Sequence, residues 1–263
     1  MAITAKDVQM LRQATGVGMM DAKRALEANN GDMEAATQWL RVQGLASAAK
    51  RADREAGEGA VAVVRDDNVA AIVEMRCETD FVAKSEEFVS LVDEIAARVA
   101  SEGEGATAQF RDRIETFLTT LKENISIGRV YRLEAAPGEV VETYIHQQAG
   151  RGVNAVAVVL QGGSEETAHE VAVHIAFAKP LYLRREDVPA AEVDAERKTV
   201  EEISRNEGKP EAALPKIIEG RLNGWFKERV LLEQPFVKDE KMTIEQYLKG
   251  ATVSAFAQVV VGS

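Results

Sequence analysis

The sequence has little of the material from which disulfides, metal sites and membrane anchors are made. Its 263 residues include one cysteine, Cys77, so we expect neither an intrachain disulfide nor a cysteine-based zinc site. Only three histidines are available for other metal chemistry. No run approaches about 18 consecutive apolar residues, and residues 1–10 lack the apolar core of a signal peptide. We therefore expect a cytoplasmic protein without a membrane span, a bound metal or a cofactor.

Positive charge is also scarce. The chain carries 32 Lys and Arg against 43 Asp and Glu, which gives a net charge of −11. A surface that neutralises nucleic-acid phosphates needs the opposite balance, so we expect no direct nucleic-acid binding. The charge is unevenly spread, because residues 1–54 contain eight basic and six acidic residues. The acidic excess therefore lies in the remainder, and residues 1–54 form an electrostatically distinct head.

The head shows apolar positions at helical spacing in three short segments. Thr4 precedes the first segment, and the glycines within residues 16–18 mark the turn that ends it. A second turn at residues 29–32 ends on Asp32, which is placed to cap a third helix. We therefore predict a three-helix domain over residues 1–54.

The rest of the chain shows one pattern twice. Residues 60–75 have the pattern of a strand, a turn and a strand, and a helical pattern follows. Residues 140–160 repeat this hairpin, again before a helix, and one more helix is predicted over residues 110–121. Because hairpins bury an apolar face against helices, we predict an α+β fold with antiparallel sheets. The two repeated core subdomains are predicted at 55–139 and 140–263.

Two stretches connect or interrupt these units. Residues 48–59 are rich in Ala, Arg, Glu and Gly, which fits either a helical linker or an extension of the third helix. Residues 184–233 are polar and carry two narrow apolar stripes, separated by a break at Gly208 and Pro210. We predict an antiparallel helical hairpin inserted there, and a final strand over residues 253–261 that returns to the sheet.

Enzyme signatures are absent from the sequence. Residues 16–18, Gly-Val-Gly, lack the preceding strand and the following Gly-Lys-Ser/Thr of a phosphate-binding loop. His169 and His174 are five residues apart, so they would not share one helix face as a metal-binding pair does. Cys77 has no neighbouring His or Lys that would favour its thiolate. We therefore predict no centre with a nucleophile, a base and an orienting group.

One segment, residues 77–84, lies between a predicted strand and a predicted helix. Ser85 and the acids after it are typical of a helix start, which would leave Phe81 in the connection. An aromatic side chain in such a loop is typical of a protein interface. In the alternative interpretation, Asp80 caps the helix and Phe81 packs beneath the hairpin. The spacing alone leaves both interpretations open.

Two motifs resemble those of the bacterial elongation factor Ts family, the guanine-nucleotide exchange factors of the GTPase elongation factor Tu. They are TGVGMMDAKRAL over residues 15–26 and TDFVAK over residues 79–84. The segments NISIGR at 124–129 and QPFV at 234–237 extend the resemblance over nearly the whole chain. One departure is Lys238, which stands where the family usually has Met after the Val.

The resemblance implies a function, a partner and a set of contact residues. The head resembles the family's ubiquitin-associated-like module, and residues 184–233 resemble its coiled-coil protrusion. The chain would bind elongation factor Tu in its GDP form, disturb the Mg²⁺ and phosphate site, promote GDP release and be displaced when GTP binds. The residues implied at the disturbed site are Thr79, Asp80, Phe81 and Val82. The other implied partner contacts are Met19, Met20, Lys23, Ile125, His146, Phe236 and Val237.

Other functions and assembly states stay open from the sequence. A ubiquitin-associated-type adaptor would recruit a partner through the head without exchange activity, and Phe81 would then be dispensable. An α+β enzyme with a cleft between the repeats would need a perturbed titrating group, which the sequence does not show. A homodimer, or a 2:2 complex with elongation factor Tu, is a further expectation, since helical seams can pair between chains.

Overall fold

The structure is a computed structural model that describes residues 3–263. Its helices are α1 (Ala5–Thr15), α2 (Met19–Ala28), α3 (Met33–Ala49), α4 (Asp80–Ala83), α5 (Glu86–Glu102), α6 (Arg111–Thr120), α7 (Glu165–Ala178), α8 (Ala190–Asn206), α9 (Leu214–Arg229) and α10 (Ile244–Leu248). Its strands are β1 (Glu58–Asp66), β2 (Val69–Cys77), β3 (Ser126–Glu134), β4 (Glu139–Gln148), β5 (Arg151–Gln161), β6 (Pro235–Phe236), β7 (Asp239–Thr243) and β8 (Thr252–Val260). The predicted α+β class with antiparallel sheets is confirmed.

Local signals set the ends of the three head helices. Thr4 and Asp7 form a capping box at the start of α1, and Gly16 ends that helix with a left-handed φ of 72°. The carboxylate of Asp32 accepts the amide of Ala35 and so caps α3. The helices share one small apolar core, made of Val8, Leu11, Val17, Ala22, Ala25, Leu26, Ala36 and Leu40.

Two three-stranded antiparallel sheets form the body. The first has the order β1-β2-β3 and the second the order β4-β5-β8. The second sheet is completed by the last strand of the chain, as the sequence predicts. Strand β3 was not predicted, because glycine and charged residues interrupt its few apolar positions and none of its residues is fully buried.

The two sheets lie back to back, so their central strands are buried on both faces. In β2, Val73 and Met75 face one apolar cluster while Ala70 and Ile72 face another. Alternate residues of β5 divide in the same way between two clusters. The shared inner layer contains mostly small side chains from both sheets: Val61, Ala70, Ile72, Ala135, Val141, Ala155, Ala157, Val159, Ala257 and Val259.

Helices cover the two outer faces. Helix α5 packs on the first sheet through fully buried Phe88, Leu91 and Ile95, with α6 beside it. Helix α7 packs on the second sheet through Val171 and Ile175. The body is therefore a four-layer arrangement of helix, sheet, sheet and helix, in which each hairpin buries its outer face under the helix that follows it.

The inserted segment forms two further helices. Helices α8 and α9 pack along one narrow apolar seam, made of Val200, Leu214, Ile218 and Leu222. The break between them lies at Gly208, which has a positive φ of 71°, and Pro210 follows it. A small two-stranded sheet, β6 and β7, and helix α10 then lead to β8.

The head contacts the body mainly through α3 and α6. Arg41 donates to Asp112 and Glu115 at 2.8 and 3.0 Å. At Gly44 the two helices approach so closely that an added Cβ would lie 2.3 Å from the Thr119 side chain. The segment before β1 is neither a helical linker nor a long extension of α3, since the helix ends at Ala49 and irregular turns follow.

The domain boundaries after residues 54 and 139 stay a prediction. Residue 54 lies in the turns before β1, and residue 139 begins β4. Within residues 3–263, none of the helices combines the length and the apolar content that a membrane crossing needs.

A matched pair of glycine substitutions tests the contact between α3 and α6. Alanine inside a helix is normally more stable than glycine by about 0.5–1 kcal/mol. Gly220, in α9, has open space around it, so Gly220→Ala should raise the free energy of unfolding by that amount. Gly44→Ala should lower it by about 1 kcal/mol, because the new methyl group pushes α3 away from α6. Urea titration followed by circular dichroism measures both; equal stabilisation would show that the contact is not kept in solution.

Candidate partner-binding site

The turn between β2 and α5 is built from two successive helix caps. The hydroxyl of Thr79 accepts the amide of Val82 and starts the four-residue helix α4. Six residues later, the hydroxyl of Ser85 accepts the amide of Phe88 and starts α5. Ala83 between the caps is fully buried. The turn is therefore tied to the core at its end and exposes its middle.

Phe81 is the exposed residue of this turn. Its side chain is 84% exposed, although Val82 and Ala83 beside it pack on the core of the first sheet. The interpretation with Asp80 as the cap and Phe81 beneath the hairpin is wrong, because Thr79 provides the cap and turns Phe81 outward. A large aromatic side chain on an ordered surface turn forgoes about 1.5–3 kcal/mol of burial. That free energy is available to a partner that covers it.

Asp80 places a negative charge next to Phe81. Its carboxylate forms an ion pair with Lys84, one helical turn away and on the same side. The hydrogen bond from Lys84 holds the pKa of Asp80 below its usual range, and the guanidinium of Arg151 contributes to that lowering. Asp80 therefore stays ionised at neutral pH.

Arg151 approaches the turn from the second sheet. One of its terminal nitrogens donates to the carboxylate of Glu58 at 2.7 Å, while its Nε and Nη1 are buried without a hydrogen-bond partner. Cys77 lies nearby, fully buried, and its thiol donates to the carbonyl of Thr79. Burial, together with the charge of Glu123, raises the pKa of Cys77 to about 12. The thiol is therefore a core group and not a nucleophile.

A second loop, residues 121–125, holds the turn from the side. Glu123 accepts hydrogen bonds from the amides of Glu78 and Thr79, both at 3.0 Å, and from the Thr79 hydroxyl at 2.6 Å. In return, the amide of Asn124 donates to the carboxylate of Glu78 at 2.6 Å. Ile125 is buried in the core of the first sheet. In this structure Ile125 therefore supports the turn from below and does not face solvent.

The head presents three of the site residues implied by the resemblance. Met19 and Met20 are 56% and 66% exposed at the start of α2. Lys23 lies one turn further along and is half exposed, 3.7 Å from Glu27 on the same helix. Two exposed methionines beside a cation form a surface suited to an apolar, partly acidic partner.

The remaining site residues lie in the second half of the body. His146 is exposed near the end of β4, where the pairing with β5 shifts register. Phe236 is only 4% exposed and stacks on Tyr247, with 4.2 Å between ring centroids, while Val237 is half buried. Lys238 forms an ion pair with Glu170. A direct contact in this region would therefore use Val237 more than Phe236.

The structure connects some of these residues directly and leaves others apart. Hydrogen bonds join residues 78–85, the Phe81 turn, to the loop of Ile125. Met19, Met20 and Lys23 lie on the head instead. Glu123 and Arg151 were not predicted as site residues, because neither lies in a recognised functional motif and their hydrogen-bond partners are distant in sequence. Within residues 3–263, no group of three or more His, Cys, Asp or Glu side chains could hold a metal ion.

His174 supports the segment that carries Phe236 and Val237. Its Nε2 lies 3.0 Å from Oε1 of Gln234, and its Nδ1 accepts the amide of Val237 at 3.4 Å. Since Gln234 uses its amide nitrogen to donate to two carbonyls, its oxygen must accept from His174. The ring is therefore neutral, with its proton on Nε2. Burial lowers the pKa of His174, although the hydrogen bond with Gln234 opposes the shift.

Comparison with known proteins matches this chain to one family. A family model described as Elongation factor TS matches residues 78–263. The Elongation factor Ts of Clavibacter michiganensis subsp. michiganensis is 46% identical over 274 residues, which cover 99% of this chain and 98% of the relative. That of Leifsonia xyli subsp. xyli is 46% identical over 276 residues, with 99% of each chain covered. That of Kineococcus radiotolerans is 43% identical over 276 residues, covering 100% of this chain and 99% of the relative.

Acid should destabilise the fold through His174. Because its folded-state pKa lies below the ordinary 6.5, the unfolded chain binds more protons below pH 6.5, and stability falls there with decreasing pH. The loss is bounded by about 1.4 kcal/mol per pH unit. Urea titrations at pH 7.5, 6.5 and 5.5 measure it. His174→Gln should flatten the dependence, whereas His169→Gln, at a half-exposed position on the same helix, should not. An unchanged slope in His174→Gln would contradict the assignment.

Proposed function

The chain belongs to the elongation factor Ts family of translation elongation factors, and on that premise we propose that it promotes GDP release from elongation factor Tu. The observation that carries the proposal is Phe81, an 84% exposed aromatic side chain on a turn held by caps and hydrogen bonds. The partner is the GTPase in its GDP form. The chain contributes no nucleotide site of its own.

Phe81 acts as a wedge. On docking, its ring enters the nucleotide-binding domain of the GTPase and is buried there, which releases the free energy that its exposure withholds from folding. The partner loops that hold Mg²⁺ and the phosphates shift to accommodate the ring, and GDP leaves. Thr79 and Val82 fix the direction of the wedge, while the ionised Asp80 lies beside it. GTP binding then restores the loops and displaces the factor.

Thermodynamic linkage states what this mechanism requires. The protein must bind the nucleotide-free GTPase more tightly than the GDP form. The affinity of the GTPase for GDP then falls by the same ratio. The wedge supplies this difference, because its contacts form only in the rearranged partner. No covalent bond is made or broken, so the protein is not a catalytic enzyme in the usual sense.

The other contacts supply affinity more than selectivity. The exposed Met19, Met20 and Lys23 of α2 dock on the nucleotide-binding domain, while His146 and the half-buried Val237 reach the partner elsewhere. These surfaces lie outside the Phe81 turn and contact the partner similarly in both of its states. Removing them should therefore weaken binding with less effect on the rate of release from the complex.

Loss of the wedge should abolish exchange without unfolding the protein. Phe81→Ala removes no core contact, so thermal stability should be unchanged, while saturated GDP release from elongation factor Tu should fall by about 100-fold or more, as about 3 kcal/mol of contact is lost. Stopped-flow release of a fluorescent GDP analogue measures this. Phe177→Ala is the matched control, since Phe177 is 77% exposed on α7, far along the chain from the turn.

The outcomes separate exchange from the adaptor function. Wild-type protein that binds the GTPase but does not accelerate release would exclude exchange and favour an adaptor. Full activity in Phe81→Ala would exclude the wedge, and equal losses in Phe81→Ala and Phe177→Ala would exclude a special role for the turn.

Loss of the Lys23 contact should raise the concentration of this protein that half-saturates GDP release. The maximal rate of GDP release should stay nearly unchanged. Lys23→Ala removes an exposed charge from α2, and we expect the half-saturating concentration to rise about tenfold, the equivalent of about 1.4 kcal/mol. The maximal release rate should change by less than about twofold, in keeping with a uniform binding contact. Lys6→Ala, on α1 of the same head, is the control. Slow maximal release at unchanged affinity would contradict this role.

A further inference from the structure

A four-residue helix cannot hold the direction of an exposed side chain by itself. Helix α4 has one capped turn, and only Val82 and Ala83 bind it to the core. We infer that Glu123 is a positioning residue for nucleotide exchange: its carboxylate fixes the backbone of the Phe81 turn in the orientation that the partner meets. This inference rests on the proposed function for its exchange readout, but its structural part can be tested on the chain alone.

The contacts of Glu123 are concentrated on the first residues of the turn. One carboxylate oxygen accepts the amides of Glu78 and Thr79, and the other accepts the Thr79 hydroxyl. Hydrogen bonds to an ionised acceptor are about twice as strong as those between neutral groups. Three such bonds hold two consecutive residues, so the peptide plane between Glu78 and Thr79 cannot rotate without breaking at least one of them.

The Thr79 hydroxyl connects the hydrogen bonds of Glu123 to helix α4. It donates to Glu123 and, with its free lone pair, accepts the amide of Val82. The carboxylate therefore orients the capping oxygen, and the cap orients the first turn of α4. Phe81 is the residue that this turn points away from the body.

Glu123 can act as a fixed point because its own loop is anchored on both sides. Ile125 is 3% exposed in the core of the first sheet. The side chain of Asn124 donates to the carbonyls of Ala52 and Arg54 at 3.1 and 2.8 Å. Lys122 adopts a left-handed φ of 61°, a conformation that non-glycine residues rarely take, and so reverses the chain just before Glu123.

The experiment compares wild type, Glu123→Ala and Glu123→Gln in stopped-flow GDP release from elongation factor Tu. Glu123→Ala should lower the maximal release rate by about 10- to 100-fold, the effect of misplacing a working group by about 1 Å. The half-saturating concentration should change by less than about threefold, since the head is untouched. Glu123→Gln keeps an acceptor oxygen and should recover most of the rate.

A matched control separates positioning from general loosening of a loop. Glu139 also ties a turn, by accepting the amide of Ala136 at 2.9 Å and the hydroxyl of Ser254 at 2.5 Å, but it does so at the start of β4. Glu139→Ala should leave exchange unchanged. An equal loss of rate in Glu139→Ala and Glu123→Ala would overturn the inference.

A double-mutant comparison tests whether Glu123 acts through Phe81. If it does, Phe81→Ala combined with Glu123→Ala should release GDP no more slowly than Phe81→Ala alone. A further tenfold loss in the double variant would overturn the inference, as would a wild-type rate in Glu123→Ala. Should Glu123→Ala fail to fold, Glu123→Asp, which withdraws the carboxylate by one methylene, replaces it with the same expectations.

Amide hydrogen exchange provides a readout that needs no partner. The amides of Glu78 and Thr79 should be protected in wild type and exchange at least about tenfold faster in Glu123→Ala, while amides of β2 are unaffected. Unchanged protection would overturn the inference. If wild-type protein fails to accelerate GDP release while the amides respond as expected, the proposed function fails and only the structural part of the inference stands.

Discussion

The back-to-back packing of two small antiparallel sheets determines the rest of this structure. Because β2 and β5 are buried on both faces, most of their side chains are apolar on both sides, and those on the inner side are mostly small. Both outer faces must then be covered, which α5 and α7 do. Little of either sheet is left for function. The residues proposed to meet a partner therefore lie at strand ends, in connections and on the separate head.

The close approach of the two sheets requires glycine at one position and determines where Arg151 lies. A Cβ added at Gly152 would lie 2.1 Å from the carbonyl of Val61, so glycine is required where β5 crosses β1. The neighbouring Arg151 is carried into the body by this contact and pairs with Glu58 at the start of β1. The packing of the strands therefore places the positive charge of Arg151, from the second sheet, near Asp80.

A buried ion pair joins β2 to β3 within the first sheet, and its arginine also reaches the second sheet. Glu74 is fully buried and accepts hydrogen bonds from the amide and guanidinium of Arg129, which also donates to the carbonyl of Val260 in β8. Burial favours the neutral carboxyl, but the hydrogen bonds from Arg129 and Arg76 together outweigh it and lower the pKa of Glu74. Removing Arg129 would leave the buried carboxylate of Glu74 to the half-exposed Arg76, 3.1 Å away. Glycine at position 128 leaves room for the carboxylate of Glu74, since a Cβ added there would lie 2.4 Å from it.

The sequence predicted what depends on near neighbours. Helical spacing indicated α5 and α7, apolar runs on both sides of a turn indicated the hairpins, and the hydroxyl of Ser85 indicated the start of α5. It could not decide the environment of Phe81, because the two interpretations differ in whether the helix after β2 starts at Ser85 or is capped by Asp80, and both residues are suitable caps. The hydrogen bonds from Thr79 to Glu123 join residues 44 positions apart, and such long-range contacts leave no local pattern in the sequence. For the same reason the burial of Phe236 against Tyr247 was not foreseen.

On the proposed function, the loop of Glu123 also explains how docking and exchange are joined. Lys122 forms an ion pair at 2.7 Å with Asp21 of α2, the helix that carries Met19, Met20 and Lys23. The next residue grips the Phe81 turn, so one short loop contacts both partner-binding surfaces. A flexible wedge would lose conformational entropy on insertion and so would weaken the selectivity that exchange needs. A wedge tied to the docking helix loses that entropy during folding. The binding energy of the head then places Phe81 against the partner in one orientation.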